Sequence, residues 1–205
     1  MGETFQEEFW SGEFGDNYTN RNRGGEVVSN IFLFSQILRG AHGVETACEL
    51  GANIGLNLMA LHVLLPQARL TGVEINQKAA DELAKLPYVS AHHGSIYETE
   101  VLRKSKFDFV FTKGVLIHQA PDLLPEAYEL LHQASRRYIM VCEYYNPTPV
   151  EVDYRGNAAV LFKRDFAGEM LERYPDLELV DYGFVYHRDW NFPQDDLNWF
   201  LMRKG

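Results

Sequence analysis

Cysteine is scarce in this chain of 205 residues: only Cys48 and Cys142 occur, each inside an apolar, strand-like run. That argues against a disulfide framework, and both thiols read as small buried side chains in a reducing compartment. Positive charge is short as well, with 19 Lys and Arg against 29 Asp and Glu and a formal net charge of −10. No run of basic residues offsets this, which argues against a nucleic-acid substrate and favours a small molecule or a protein with exposed cations. Long apolar runs are missing, so no membrane span is expected. The N-terminal MGETFQEEFW is acidic and lacks the basic and apolar regions of a signal peptide, so a soluble, cytoplasmic protein is expected. Met1-Gly2 opens as a myristoylation signal does, but Gln6 stands where Ser or Thr is required. Repeats and low-complexity tracts are absent too.

What is present is an apolar content of 46%, enough for a sizeable core, and one organising stretch over residues 44–76. An apolar run from Val44 to Leu50 meets a turn, Gly51 to Gly55, then a helical pattern of Leu58, Leu61, Leu64 and Leu65 that stops at Pro66. A second strand, Leu70 to Ile75, carries Glu74 near its end. This is a βαβ unit of the nucleoside-binding kind. Gly51 and Gly55 allow a tight turn and close approach of a ligand. The helix N-terminus behind them favours an anionic group, and Glu74 is placed to accept hydrogen bonds from ribose hydroxyls. A dinucleotide site requires G-x-G-x-x-G, whereas the corresponding positions here are Gly51, Asn53 and Leu56.

The spacing E-x-G-x-x-x-G, with Glu49 two residues before Gly51, resembles motif I of class I S-adenosylmethionine-dependent methyltransferases. The resemblance implies that Glu49, Gly51, Asn53 and Gly55 hold the methionine part and that Glu74, with neighbouring Ile75, holds the ribose. Asn53 departs from the family's commoner glycine. The resemblance also implies an adenine contact after the third strand (Tyr88 to His93), where Ser95 stands in place of a frequent Asp and is followed by Ile96. His92 and His93 are adjacent and project oppositely in a strand, so no metal site is expected.

A helix is expected over residues 26–40, another from Gln77 to Leu86, and a fourth strand over Phe107 to Thr112. That strand runs into Lys113, Gly114 and His118, at the end where open α/β sheets place their ligands. His118 reads equally as a structural residue and as a catalytic base. A helix from Pro121 to Ala134, strand five over Tyr138 to Cys142, a helix from Phe166 to Tyr174 capped by Asp165, and a C-terminal antiparallel hairpin complete the chain. Residues 143–165 form a polar, aromatic segment on the ligand side, in which Tyr144, Tyr145, Asn146, Arg155 and Lys163 are candidates for holding an acceptor, each open also to a plain solvated-loop reading. The aromatic N-terminus is a hydrophobic strap over a sheet edge or a lid that turns Tyr18, Arg21 and Asn22 toward the ligand.

FWSGEFGDNYTNRN, ELGANIG, FTKGVLIHQ and EYYNPTPVEVDYRG with LFKRDFAGE together resemble the pseudaminic acid biosynthesis-associated methylase family over nearly the whole chain. The implied fold is a Rossmann-like α/β methyltransferase sandwich, mostly parallel with a C-terminal antiparallel hairpin, in one domain (1–205) with a lid and helix over 1–40. The implied activity is S-adenosylmethionine-dependent methylation of a small acceptor related to nonulosonic-acid sugars, with His118 as base and Tyr145 and Asn146 orienting the acceptor. Two other readings stand: a cofactor-binding module without chemistry, and a nicotinamide-dependent sugar oxidoreductase. The sequence is silent on oligomeric state.

Overall fold

The computed structural model describes residues 4–21 and 26–205, leaving aside the side chains of residues 20 and 21. Its helices are α1 (Phe5–Ser11), α2 (Glu13–Arg21), α3 (Val27–Ile37), α4 (Leu56–Leu64), α5 (Gln77–Leu83), α6 (Glu100–Lys104), α7 (Leu124–Ala134) and α8 (Phe166–Arg173). The strands are β1 (Thr46–Leu50), β2 (Arg69–Glu74), β3 (Val89–His93), β4 (Phe107–Lys113), β5 (Ser135–Glu143), β6 (Val150–Glu151), β7 (Phe162–Lys163), β8 (Leu177–Val185) and β9 (Leu197–Lys204).

Seven strands form one sheet in the order β3-β2-β1-β4-β5-β9-β8. The first five are parallel; β9 runs antiparallel to β5, and β8 antiparallel to β9. The chain winds outward from β1 to β3, then returns to β4 on the other side of β1. At that reversal the connections leave in opposite directions and open a cleft at the carboxyl ends of β1 and β4.

Strand alternation decides which core each residue joins. Phe109 and Phe111 of β4 pack with Phe34 of α3 and Leu58 of α4, while Val110 packs on the opposite face with Leu131 of α7 and Met170 of α8. The central strands are thus covered on both faces, as the unbroken burial of β1 requires. Asp108, a polar exception on β4, is neutralised locally: its Oδ2 accepts from the amides of Glu45 and Thr46 and from the Thr46 hydroxyl.

The expected elements occur with adjusted bounds. The helix expected over 26–40 ends at Ile37, and Leu38 to Gly40 form a turn. Pro121–Leu123 is a separate 3-10 turn before α7, because Pro125 fits only the first turn of the α-helix. Strand five extends to Ser135 and Glu143, and the helix α6 was not anticipated, being a single turn too short for periodicity to show. No helix among the described residues is long and apolar enough to cross a membrane.

Candidate functional site

The cleft is built first from backbone. After β1 the chain passes Gly51 (φ +74°), Asn53 (φ +47°) and Gly55 (φ +86°), three left-handed residues within five. Asn is among the few side-chain-bearing residues that adopt this conformation readily, which explains why it serves at position 53. Gly55 has no such latitude: a Cβ there meets Leu83 Cδ1 and Leu86 Cδ1 at 2.7 Å. Gly55→Ala is therefore expected to cost about 2–3 kcal/mol, from strain plus overpacking. A urea titration checks this through a lowered midpoint with an unchanged slope; equal midpoints would contradict the geometry.

Glu74 fastens the turn to the sheet. Its Oε2 accepts from the Asn53 amide at 2.7 Å and its Oε1 from the Asn76 amide at 2.8 Å. Burial raises its pKa against these bonds and the nearby His93. Asn76, buried beside it, spans two structures. Its Oδ1 caps α5 at Ala79, and its Nδ2 reaches Asp16 Oδ1 (2.9 Å) and the carbonyls of Trp10 and Ser11 (3.3 Å each). The N-terminal helices are thus pinned to a residue two positions past the acidic strand end.

Those helices form one wall of the cleft, through Gln6, Glu7, Trp10 and Tyr18. Glu7 closes a capping box with Thr4 and accepts a hydrogen bond from the Ser95 hydroxyl. Trp10 lies 4.5 Å from the His118 ring, with Phe14 and Tyr18 edge-on behind it.

The opposite wall comes from β4 and its turn. Glu143, fully enclosed at the end of β5, accepts from the amides of Val115, Leu116 and Ile117, and so shapes the 3-10 turn that carries His118. Burial pushes its carboxyl up to about 7 against those donors. His118 Nδ1 sits 2.5 Å from the Val160 carbonyl, which can only accept, so Nδ1 carries the proton and Nε2 is left with a lone pair. Burial drives the imidazole pKa down to about 4, opposed only by that backbone bond. The ring is neutral throughout the physiological range.

Behind the loop, Glu49 is completely buried, and burial pushes it up to about 8 despite Asn57 and Lys113. It accepts from Asn57 Nδ2 at 2.6 Å, which fixes the amide and turns Asn57 Oδ1 away without a partner. Asn30 Oδ1 takes Lys113 Nζ at 3.2 Å, leaving Asn30 Nδ2 buried and unpaired; Trp10 Nε1 is likewise unpaired. Asn57, Asn30 and Trp10 all line the cleft, so one acceptor and two donors with unmet hydrogen bonds lie buried in its wall. Such groups are costly to bury unless a ligand or water completes them. The cleft encloses a cavity of about 170 Å³ and opens to solvent.

Of the positions singled out in the sequence, Tyr18, Gly51, Asn53, Glu74, Ile75, Ser95, Ile96, Lys113, Gly114 and His118 line this one cleft. Glu49 and Gly55 lie behind it. Arg21 belongs to α2, but its side chain, like Asn22 altogether, lies outside the described residues. Five expected acceptor contacts are not among the residues that line the cleft. Lys163 stacks over Tyr144 at 4.8 Å; Tyr145 is exposed beside Phe200; Asn146 bonds Thr148. Arg155 is exposed over the Tyr154 ring. The reason is the small hairpin of β6 and β7, which turns Tyr154 and the Val160 carbonyl toward His118 instead. Glu7, Trp10, Asn57 and Asn76 were not anticipated, although Thr4-x-x-Glu7 is a readable capping box.

No protein-family model matches the chain, and no curated protein matches it in sequence. Solved structures do. A Leishmania major S-adenosylmethionine-dependent methyltransferase superposes with a TM-score of 0.71 at 17% identity, over 96% of this chain and 81% of that one. The mitomycin 7-O-methyltransferase MmcR matches with a TM-score of 0.65 at 14% identity, over 100% of this chain and 62% of its own. CalS10, an amino pentose methyltransferase from Micromonospora echinaspora solved with S-adenosylmethionine bound, matches with 0.63 at 10% identity, over 94% and 96%. At these identities the likeness is one of architecture, and it agrees with the sheet order and the antiparallel β9: the chain has the fold of the class I S-adenosylmethionine-dependent methyltransferases.

Proposed function

We propose that this protein transfers a methyl group from S-adenosylmethionine to a small-molecule acceptor, acting as a single domain whose N-terminal helices serve as the lid. The observation that carries the reading is Glu74, a carboxylate at the end of β2 that fastens the left-handed Gly51–Gly55 turn from within the cleft. Fold neighbours that are methyltransferases, one of them with S-adenosylmethionine bound, support it.

The residues fit the cofactor. Glu74 retains lone pairs for ribose hydroxyls, and Ile96 with Tyr97 offers apolar contact to a base. Asn57, backed by Glu49, would hold the ammonium group, and Lys113 with Asn30 would hold the carboxylate. When bound, S-adenosylmethionine supplies an electrophilic methyl on a sulfonium. The chain's own part is alignment and dryness: the lid excludes water and the turn fixes the approach. His118 accepts the proton of an attacking hydroxyl at Nε2, the ring nitrogen left free by Val160.

The motif resemblance supports a nonulosonic-acid type of acceptor, such as a pseudaminic acid or its precursor. The two buried thiols, Cys48 and Cys142, suit the cytoplasm. Incubation with methyl-labelled cofactor and a panel of nonulosonic acids is expected to label one of them. Cofactor binding with no transfer to any acceptor would favour a binding module instead.

A further inference from the structure

We propose that Glu7, carried on α1, accepts a hydrogen bond from the exocyclic amino group of the cofactor's adenine, so that the base itself holds the N-terminal helices closed. This rests on the methyltransferase reading above and deepens it.

With the ribose at Glu74, at the end of β2, the methyltransferase resemblance implies that the base lies beside the turn after the neighbouring strand β3. Ser95, Ile96 and Tyr97 line the cleft there. The adenine amino group donates hydrogen bonds and needs an acceptor. The Ser95 hydroxyl, the residue expected from the sequence, spends its proton on Glu7 and one of its two lone pairs on the Tyr97 amide at 3.2 Å, so it has only one neutral lone pair to offer. Gln119 Oε1 accepts from the Tyr97 hydroxyl at 2.9 Å and likewise has one neutral lone pair left, and Gln6 Nε2 is a donor spent on the Ala159 carbonyl. Glu7 is different. Its Oε2 holds Thr4, its Oε1 receives Ser95 alone, and the lone pair that remains belongs to a carboxylate, a stronger acceptor than either neutral oxygen.

The carboxylate is also held in place before a ligand arrives, tied to the capping box on one side and to Ser95 on the other. An ionised carboxylate only accepts, so it favours a base with an amino group at that edge and repels one with a carbonyl. Ser95 therefore acts as a positioning residue for Glu7. Because α1 and α2 are pinned to Asn76, whose amide bonds Glu74, base and ribose grip the same lid at two neighbouring points.

The test is calorimetry with S-adenosylhomocysteine and its deamino analogue, in which purine replaces adenine. Wild-type protein is expected to prefer the adenine ligand by about tenfold or more, the size of one hydrogen bond to a charged group. Glu7→Ala should remove that preference, weakening the adenine ligand about tenfold and leaving the analogue within about twofold. Glu7→Gln, which keeps one acceptor oxygen, should restore part of it. Equal weakening of both ligands, or a preference that survives Glu7→Ala, overturns the assignment while the methyltransferase reading stands. Wild-type protein that binds neither ligand overturns both.

Discussion

Glu74→Ala is expected to weaken binding of S-adenosylmethionine and S-adenosylhomocysteine by at least about a hundredfold, the largest effect of any single substitution on the cofactor. Two losses add. The ribose hydroxyls lose charge-assisted bonds, worth about 1.5–3 kcal/mol each. The Asn53 and Asn76 amides also lose their acceptors, so the left-handed turn is no longer fastened to β2. Glu74→Gln should fare little better, because its amide NH₂ faces one of two backbone donors. Calorimetry supplies the affinity, and circular dichroism confirms that the sheet persists. A dissociation constant within threefold of wild type would sink the ribose assignment.

His118→Ala is expected to lower kcat by about 10²–10³-fold with cofactor affinity within threefold, if Nε2 takes the acceptor's proton. The pH profile gives a signature that a structural histidine does not. An ordinary histidine changes charge near 6.5, but burial holds His118 down to about 4. Its basic form is present above that value, so kcat should be level between about pH 6 and 8 and fall only below about 5. The same depression affects stability. Between about 4 and 6.5 the unfolded chain binds a proton at His118 that the folded chain does not, so stability is lost as pH falls through this window. The loss is about 3 kcal/mol at most. His118→Gln, which retains a donor for Val160, should lack that part of the acid sensitivity. Full turnover by His118→Ala at saturating substrate would leave His118 a structural residue only.

The side of the cleft built by β1, β2 and the turn between them was legible because its elements are adjacent in the chain. Glu49 to Gly55 and Leu70 to Ile75 form one βαβ unit, and strand ends after β1, β2 and β4 must converge where the sheet order reverses. Asn53 could be noted as a departure, but its left-handed φ, which accounts for it, is a property of the fold. The side formed by the segment after β5 was not legible. Distance along the strand locates a residue near the cleft but not the side it takes once the strand ends. Glu143 turns in to hold three amides, while Tyr145 lies out by Phe200. One position later in the hairpin the choice fell on Arg155, whereas Tyr154 is the residue beside His118. Contacts across long separations escaped altogether, such as Glu7 with Ser95 and His118 with Val160.

Titrating the purified protein with S-adenosylmethionine, S-adenosylhomocysteine and NAD(H) in a calorimeter tests the central claim most directly. Saturable binding of the first two and none of NAD(H) is expected, because Asn53 and Leu56 stand where a pyrophosphate site requires glycines. Binding of NAD(H) alone, or of none of the three, would contradict the account.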